Sequence, residues 1–222
     1  MLCRMSDPSF HSSVNLNSFP DFEQSVVQLE QYSTPPFLLE KYAALIIEQF
    51  AHHSESIITK DKKILDLGCG TGRLSFTALL AGANQVIGFD IDLQAIRIAR
   101  QYAIKNKIPS ISWIHTAIEF CSLQGFRGKI AGVIMNPPFG TRRQYIDFVF
   151  LKRAFITGGW IISLHKQHPQ TVHSLKQLVS KNHYELRSME QVKFPLNSSR
   201  PEHRIKSYPV NVMLCFMTPL PK

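Results

Sequence analysis

The chain has 222 residues with 44% hydrophobic content, which is enough to bury one α/β core and too few to favour two domains. Its four cysteines lie far apart without a Cys-x-x-Cys pair, and no apolar run reaches the roughly 18 residues of a membrane span. A zinc site, a disulfide framework and a transmembrane helix are therefore disfavoured. The formal net charge of +9 favours polyanionic partners such as nucleic acid, with a basic surface that only aids solubility as the alternative. We expect a soluble, intracellular protein, cytoplasmic or, in a eukaryote, nuclear.

Residues 1–22 are rich in Ser, Asn and Pro and are predicted to form a flexible tail ahead of one domain at 23–222. From Pro35 onward, segments with helical spacing of apolar residues alternate with short apolar runs typical of strands. In chain order these are a helix in PFLLEKYAALIIEQF, a strand in KKILDL, a helix in RLSFTALLAGA, a strand in QVIGFDI, a helix in LQAIRIARQYAIKNK, strands in ISWIHT and KIAGVIM, a helix in FVFLKRAF, a strand in GWIISLH, a helix in HPQTVHSLKQLVSK and a strand in VNVMLCFM. The alternation predicts a Rossmann-like α/β domain, with a mostly parallel sheet covered by helices on both faces.

A glycine-rich loop follows the first predicted strand. Gly68, Gly70 and Gly72 lie between that strand and a helix, where residues without Cβ allow a tight turn and close approach of a ligand. Asp90 ends the next predicted strand, 20 residues after Gly70, where a carboxylate can accept hydrogen bonds from both ribose hydroxyls of a nucleoside. A plain tight turn and a helix cap are the structural alternatives, and the spacing alone also suits a dinucleotide.

An acid ahead of this loop bears on whether the loop binds a nucleoside or a dinucleotide. Asp66 precedes the first glycine, in a pattern that resembles the nucleoside-binding loop of class I S-adenosylmethionine (SAM) methyltransferases more than the dehydrogenase fingerprint. A carboxylate at this position would suit the cationic amino acid end of SAM and would repel a pyrophosphate. The loop therefore predicts SAM as the cofactor.

The segment Asn136-Pro137-Pro138-Phe139 ends another apolar strand and is predicted to be catalytic. Adenine N6 is a poor nucleophile because its lone pair is delocalised into the ring, so an enzyme must hold the amine with hydrogen-bond acceptors. Asn136 offers a side-chain carbonyl, and Pro137 offers a backbone carbonyl with no competing N–H. The prolines hold the backbone extended, and Phe139 can stack on the base. An edge-strand stop would explain the two prolines but not the Asn and Phe beside them. No metal is required for this chemistry.

With these motifs in place, the chain resembles the methyltransferase-like protein five group of small-subunit rRNA adenine-N6 methyltransferases. The resemblance rests on LEQYSTPP (29–36), DLGCGTGRLS, GFDID, VIMNPPFGT, FLKRAF and SLHK (163–166), and it covers most of the chain apart from the tail. Gln-Tyr-x-Thr upstream of the glycine loop is its distinguishing element. The resemblance implies a class I methyltransferase with a seven-stranded, mostly parallel sheet, which uses SAM to methylate one site in small-subunit rRNA.

The resemblance also implies cofactor contacts outside the glycine loop. Gln31 and Thr34 would close over SAM, although Thr34 also suits the N-cap of the following helix. The other implied cofactor residues are Ile91, Ala117, Ile118 and Asn136. The family usually has an Asp in place of Ala117 to bind the amino group of the SAM adenine. We therefore expect reduced affinity for the cofactor, unless Glu119 substitutes.

Basic residues near the C-terminus are similar in place to the RNA-binding loop of the family. The predicted RNA contacts are His165, Lys166, Arg200, His203, Arg204 and Lys206. Solvated loop and strand-end residues are the alternative. The family also works with a small zinc-binding activator protein that adds a strand to a sheet edge, so a heterodimer is implied, with the zinc in the partner.

Two other functions remain open at this level. One is a release-factor-type protein glutamine N5-methyltransferase, which Phe139, the positive charge and Gln31-Tyr32 disfavour. The other is a non-catalytic RNA-binding scaffold with a methyltransferase fold, which Ala117 makes conceivable. SAM binding would separate the scaffold from the two enzymes.

Overall fold

The computed structural model describes residues 15–52, 63–197 and 207–221. Four of the predicted RNA-binding residues, Arg200, His203, Arg204 and Lys206, lie outside these ranges. Within them, no helix is long and apolar enough to span a membrane.

In the described part of the chain, seven strands form one sheet. They are β1 (Lys63–Leu67), β2 (Gln85–Asp90), β3 (Ile111–His115), β4 (Gly132–Met135), β5 (Trp160–Lys166), β6 (Tyr184–Asn197) and β7 (Ser207–Pro219). Their order is β3-β2-β1-β4-β5-β7-β6. Strands β1 to β5 pair with one another in parallel, whereas β7 pairs antiparallel with both β5 and β6. The predicted mostly parallel, seven-stranded sheet is thus confirmed.

Helices cover both faces of this sheet. They are α1 (Pro36–His52), α2 (Arg73–Leu80), α3 (Leu93–Lys105), α4 (Ile146–Thr157) and α5 (Pro169–Lys181). One hydrophobic cluster packs residues of α1, α2 and α3 against the sheet, and a second packs residues of α4 and α5 against the opposite face. Asp92 caps α3 as predicted, since its Oδ1 accepts a hydrogen bond from the Gln94 N–H at 2.8 Å.

The strand order reverses between β1 and β4, which lie side by side at the centre of the sheet. From β1 the strand order runs outward to β2 and β3, and from β4 it runs the other way to β5. The loops that follow parallel strands all lie at one edge of the sheet, and such a switch point leaves a crevice between them. The glycine loop after β1 and Asn136 after β4 therefore meet at this crevice.

Strand β6 is absent from the predicted elements. Its apolar residues Tyr184, Val192 and Phe194 are buried, but the alternation is interrupted by a register shift between Leu186 and Ser188. Pro195 further weakens the pattern, because proline inside a run argues against a strand. The pairing with β7 overrides both signals.

Residues 15–22, the described part of the predicted tail, pack against the domain. Phe19 is buried, with its ring 5.6 Å from that of Phe76 in α2. The Thr71 hydroxyl donates a hydrogen bond to the carbonyl of Pro20 at 2.9 Å. This segment therefore belongs to the fold and leads directly into the site.

Gly132 provides a test of the central packing. A Cβ added at Gly132 would lie 2.2 Å from Cδ2 of Trp160, the residue paired with it in β5. We expect Gly132→Ala to lower the free energy of unfolding by about 1–3 kcal/mol or more, because the buried indole must move. Urea denaturation followed by circular dichroism measures this change.

Gly125→Ala is the matched control, because an added Cβ there meets nothing within 4 Å. Its effect should stay within about 0.5 kcal/mol. Equal stability losses in the two variants would contradict the packing described around Gly132.

Candidate active site

The glycine loop turns sharply away from β1 and is tied to the end of β2. Gly68 and Gly70 have φ of +75° and +52°, a region that residues with Cβ rarely adopt. The Gly70 N–H donates to Oδ2 of Asp90 at 2.7 Å, and the Asp92 N–H donates to Oδ1 at 2.8 Å. Each carboxylate oxygen of Asp90 thus keeps a lone pair for a further donor, as two neighbouring hydroxyls would require.

Burial gives this carboxylate an unusual electrostatic setting. Desolvation raises the pKa of Asp90 above its usual range, and the hydrogen bonds from Asp92 and Gly70 partly oppose that rise. A donor pair from a ligand would further favour the ionised form. The arrangement suits binding of a diol.

Asp66 lies behind the loop, inside β1, and is fully buried. Its Oδ2 accepts a hydrogen bond from the Ser75 hydroxyl at 2.6 Å, while its Oδ1 has no partner among the described residues. Burial raises the pKa of this carboxyl to about 7, and Asp90 adds to the rise. An orphaned, buried carboxylate oxygen is costly, and a nearby cation would relieve that cost.

Residues 19–34, which we call the strap, cross the loops at the ends of the strands. Gln31 links the strap to α3, because its Nε2 donates to Oδ2 of Asp92 at 2.6 Å. Its Oε1 accepts from the Val26 N–H at 2.7 Å. The Phe22 ring lies over Gly70, so close that a Cβ there would be 2.9 Å from its Cζ. The strap therefore covers the glycine loop.

The Asn-Pro-Pro-Phe segment meets the strap from the other side. Nδ2 of Asn136 donates to the hydroxyl of Thr34 at 3.1 Å. Because the amide nitrogen is used in this way, the amide oxygen remains available to accept from a ligand. The Tyr42 hydroxyl donates to the carbonyl of Met135 at 2.7 Å and steadies the end of β4 just before it.

Phe139, predicted to stack on a base, has protein partners in this structure. Its ring is stacked on that of Tyr32, with centroids 6.0 Å apart and planes 13° apart. It also meets the Phe194 ring edge-on at 5.4 Å. Phe139 is buried by these contacts, so a base can reach it only if the strap around Tyr32 shifts.

A cavity of about 230 Å³ lies beneath the strap. Its lining includes the predicted cofactor residues Gln31, Gly68, Gly70, Asp90, Ile91, Ala117, Ile118 and Asn136. Thr34 lines a smaller cavity that adjoins it. Acceptors at one end, an apolar wall at Ile91 and Ile118 and an amide at the other end fit a nucleoside with a polar tail.

Glu119, two residues after Ala117, also lines the cavity, and its carboxylate already has a partner. Nη1 of Arg143 donates to its Oε1 at 2.7 Å, and this bond lowers the pKa of Glu119. A role in place of the family's usual Asp would require Glu119 to share that carboxylate between Arg143 and the ligand.

The predicted RNA contact His165 does not lie at the surface. The His165 side chain is fully buried, with Nδ1 2.8 Å from Oδ2 of Asp147 and Nε2 2.8 Å from the Ser163 hydroxyl. Alternation along β5 turns it into the core, where a buried imidazole needs polar partners on both nitrogens. Lys166, the next residue, is exposed as predicted.

Several residues at the site were not predicted from the sequence. Phe22 lies in the predicted tail, Arg143 and Phe150 follow the catalytic motif, and Arg73 contacts the strap. Tyr32, Arg73 and Phe150 lie in segments on which the resemblance rests, Gln-Tyr-x-Thr, DLGCGTGRLS and FLKRAF, but no role was assigned to them. The others become visible only when the loops are brought together.

Fold and site together define a class I methyltransferase. In agreement with this, residues 48–185 match the family model described as ribosomal protein L11 methyltransferase (PrmA). The chain is 30% identical over 207 residues to the rRNA N6-adenosine-methyltransferase METTL5 of Danio rerio, covering 92% of this chain and 95% of that protein. It is 32% identical over 153 residues to Mettl5 of Drosophila melanogaster, 68% and 69% of the two chains.

A solved structure agrees with this classification. PH1948 from Pyrococcus horikoshii, a candidate RNA methyltransferase, superposes with a TM-score of 0.77 at 26% identity, covering 93% of this chain and 96% of that one. The similarity to ribosomal protein L11 methyltransferase of Marinomonas is 50% identity, but it spans only 18% of that protein. The chain therefore belongs to the METTL5 family of methyltransferases.

The raised pKa of Asp66 predicts how stability changes with pH. Between about pH 4 and pH 7 the folded protein holds a proton that the unfolded chain has released, so stability falls as pH rises through this window. A rise from 3.8 to about 7 corresponds to a cost of at most about 4 kcal/mol above pH 7. Asp66→Asn cannot ionise and should lose this part of the decline.

Urea unfolding of the ligand-free protein at pH 5 and pH 8 measures the difference. Glu40→Gln, an exposed change in α1, is the control and should keep the wild-type decline. Identical declines in Asp66→Asn and wild type would show that Asp66 is ionised in the folded state at both pH values.

Proposed function

We propose that this protein uses SAM to methylate N6 of adenosine in RNA, at a single site in small-subunit rRNA. The observation that carries the proposal is the Asn136 amide, held by Thr34 at the wall of the cavity that also contains Asp90. The name of the Danio rerio and Drosophila relatives supports the substrate. The proposal assigns the cavity to the cofactor and the Asn-Pro-Pro-Phe segment to the target base.

The residues that would hold the cofactor are those that line the cavity. Asp90 would accept from the ribose hydroxyls, Ile91 and Ile118 would contact the adenine, and Gln31 would close over the ligand from the strap. When bound, SAM supplies a methyl group on a positively charged sulfur. The neutral thioether that remains after transfer makes this sulfur an excellent leaving group. The protein then has to align the amine and exclude water rather than provide a strong base.

Asn136 and Pro137 are assigned to the amine. The Asn136 oxygen and the Pro137 carbonyl would each accept one N–H of adenine N6, which draws the nitrogen lone pair out of conjugation and toward the methyl group. Thr34 contributes by holding the amide nitrogen, because a free amide could rotate and present donors instead. Pro138 keeps Pro137 extended, and Phe139 would stack on the base once Tyr32 moves.

Basic residues near the cavity would hold the RNA. Arg142, Arg143 and Lys166 are exposed, and the two arginines lie three and four residues after Phe139. Tyr145, in the same loop, exposes 52% of its surface and could stack on an unpaired base. Arg200, His203, Arg204 and Lys206, outside the described residues, are proposed as further phosphate contacts.

Two substitutions separate cofactor binding from transfer. Asp90→Ala should abolish SAM binding, whereas Asn136→Ala should bind SAM normally and transfer the methyl group about 10² to 10³ times more slowly. Calorimetry with SAM measures the first effect. Nucleoside mass spectrometry measures the second, with small-subunit rRNA from a deletion strain as the substrate.

The N6-methyladenosine content of small-subunit rRNA in a deletion strain tests whether rRNA is the substrate. If every small-subunit rRNA site keeps its N6-methyladenosine in the deletion strain, the rRNA assignment is wrong. SAM binding without any methylated nucleoside in the reconstituted reaction would point to the glutamine methyltransferase alternative. Absence of SAM binding to the wild type would favour the RNA-binding scaffold.

We also propose that the zinc-binding activator partner adds a strand to β3. This strand is one edge of the sheet, so its outer backbone groups lack a neighbouring strand in the described part of the chain. Ile114 on β3 exposes 37% of its surface, and two apolar residues of the elements before and after β3, Ile104 and Phe120, expose 67% and 86%. A partner strand would pair with the edge and cover this surface.

Ile114→Asp tests this interface, because a carboxylate on the edge strand would be buried by the partner. We expect it to prevent co-purification with the family's activator protein. Met189→Asp is the matched control, since Met189 is similarly exposed, at 38%, on the opposite edge strand β6. Loss of the complex in Met189→Asp but not in Ile114→Asp would place the partner at β6 instead.

A further inference from the structure

Arg73 is a buried cation that none of the motifs explains. It is the first residue of α2, directly after the glycine loop, and exposes only 8% of its surface. Burial lowers the pKa of its guanidinium, an effect that the nearby Asp21 partly offsets. Among the residues that the structure describes, no carboxylate lies within ion-pair distance of Arg73. A buried charge without a paired anion is costly unless something else compensates for it.

Three backbone carbonyls orient the guanidinium. Nε donates to the carbonyl of Thr34 at 3.0 Å, Nη1 to that of Phe19 at 3.0 Å and Nη2 to that of Leu16 at 3.3 Å. Arginine has five N–H donors, so two of them have no partner among the residues that the structure describes. Because the carbonyls are neutral, they hold the cation in place without neutralising it.

Arg73 lines the smaller of the two cavities at the site. This cavity has a volume of about 40 Å³, enough for a group of a few atoms. Thr34, Gly68, Gly70 and Asn136 line it together with Arg73. Gly68, Gly70 and Asn136 also line the main cavity, so the two spaces meet at the glycine loop and the catalytic amide.

We propose that Arg73 binds the α-carboxylate of the methionine part of the cofactor. The inference rests on the proposed function, in which Asp90 takes the ribose and Asn136 lies beside the methyl group. The amino acid tail then extends from the sulfur to the start of the glycine loop, where the smaller cavity lies. A pre-oriented guanidinium with two free N–H groups matches the two oxygens of a carboxylate.

The position of Asp66 agrees with this assignment. The amino acid tail is a zwitterion, with an ammonium group one bond from the carbon that carries the carboxylate. Asp66 lies buried behind the glycine loop, outside the lining of both cavities, and one of its carboxylate oxygens has no partner among the described residues. Arg73 lies just after the loop. A cation and an acid on either side of one loop are complementary to a zwitterion and not to a simple nucleoside.

The alternative is that Arg73 only anchors the strap. Its hydrogen bonds reach both ends of the strap, Phe19 and Thr34, and also Leu16 just before it. Loss of an anchor would weaken every ligand that the strap covers. Loss of a carboxylate partner would weaken only ligands that carry the carboxylate.

Two ligands separate these roles without any RNA. S-adenosylhomocysteine carries the amino acid tail, and 5′-methylthioadenosine keeps the nucleoside and the sulfur but lacks that tail. In calorimetric titrations, Arg73→Met should lose about 10- to 100-fold more affinity for S-adenosylhomocysteine than for 5′-methylthioadenosine, whose binding reports only the loss of the strap anchor. Arg100→Met, an exposed change in α3, is the control for lost positive charge and should bind both as wild type does. Unchanged affinity for S-adenosylhomocysteine, or equal losses for the two ligands, would overturn the assignment.

A second comparison uses the wild-type protein, so it does not depend on the variant folding. Decarboxylated S-adenosylhomocysteine should bind at least 10-fold more weakly than S-adenosylhomocysteine itself, because the guanidinium loses its anion. Equal affinities would overturn the role of Arg73 while leaving the cofactor assignment intact. Failure of wild type to bind S-adenosylhomocysteine would overturn both the role of Arg73 and the cofactor assignment.

Discussion

The parallel pairing of β1 with β4 is the constraint on which the site depends. It places the glycine loop and the Asn-Pro-Pro-Phe segment next to each other, although almost 70 residues separate Gly68 from Asn136. Two short bonds then complete the arrangement, one from Gly70 to Asp90 and one from Asn136 to Thr34. Without the central pairing, an acceptor for a diol and an acceptor for an amine would lie in unrelated places.

The strap converts this open crevice into a covered cavity. Thr71 and Arg73 donate hydrogen bonds to carbonyls of the strap, and Gln31 of the strap donates one to the Asp92 carboxylate. The same strap supplies Thr34, which orients the catalytic amide, and Tyr32, which stacks on Phe139. One segment therefore covers the cavity, orients the Asn136 amide and controls whether a base can reach Phe139. Movement of the strap would affect all three together.

Buried ionisable groups cluster around the glycine loop to an unusual degree. Asp66, Asp90 and Arg73 are all largely withdrawn from water. Burial raises the pKa of the two carboxyls and lowers the pKa of the guanidinium, and both shifts favour the neutral form. Such shifts are expected where a protein holds charges ready for a ligand rather than for its own stability. The buried Ser163–His165–Asp147 chain differs from this cluster, because its three members satisfy one another by hydrogen bonds. That chain fixes the start of α4 against β5 and needs no ligand.

The sequence by itself determined the features that depend on neighbours along the chain. Alternating helical and extended patterns predicted the parallel α/β fold, and Asp66, Gly70, Asp90 and Asn136 were identified because their motifs are local. The tertiary structure decided what depends on residues far apart. His165 became a core residue because β5 turns it inward onto Asp147, and β6 formed because β7 offered a partner despite Pro195. Arg73 and Phe22 joined the site only because the strap folds back over the loop, a contact that hydrogen bonds between distant residues create and that no local pattern encodes.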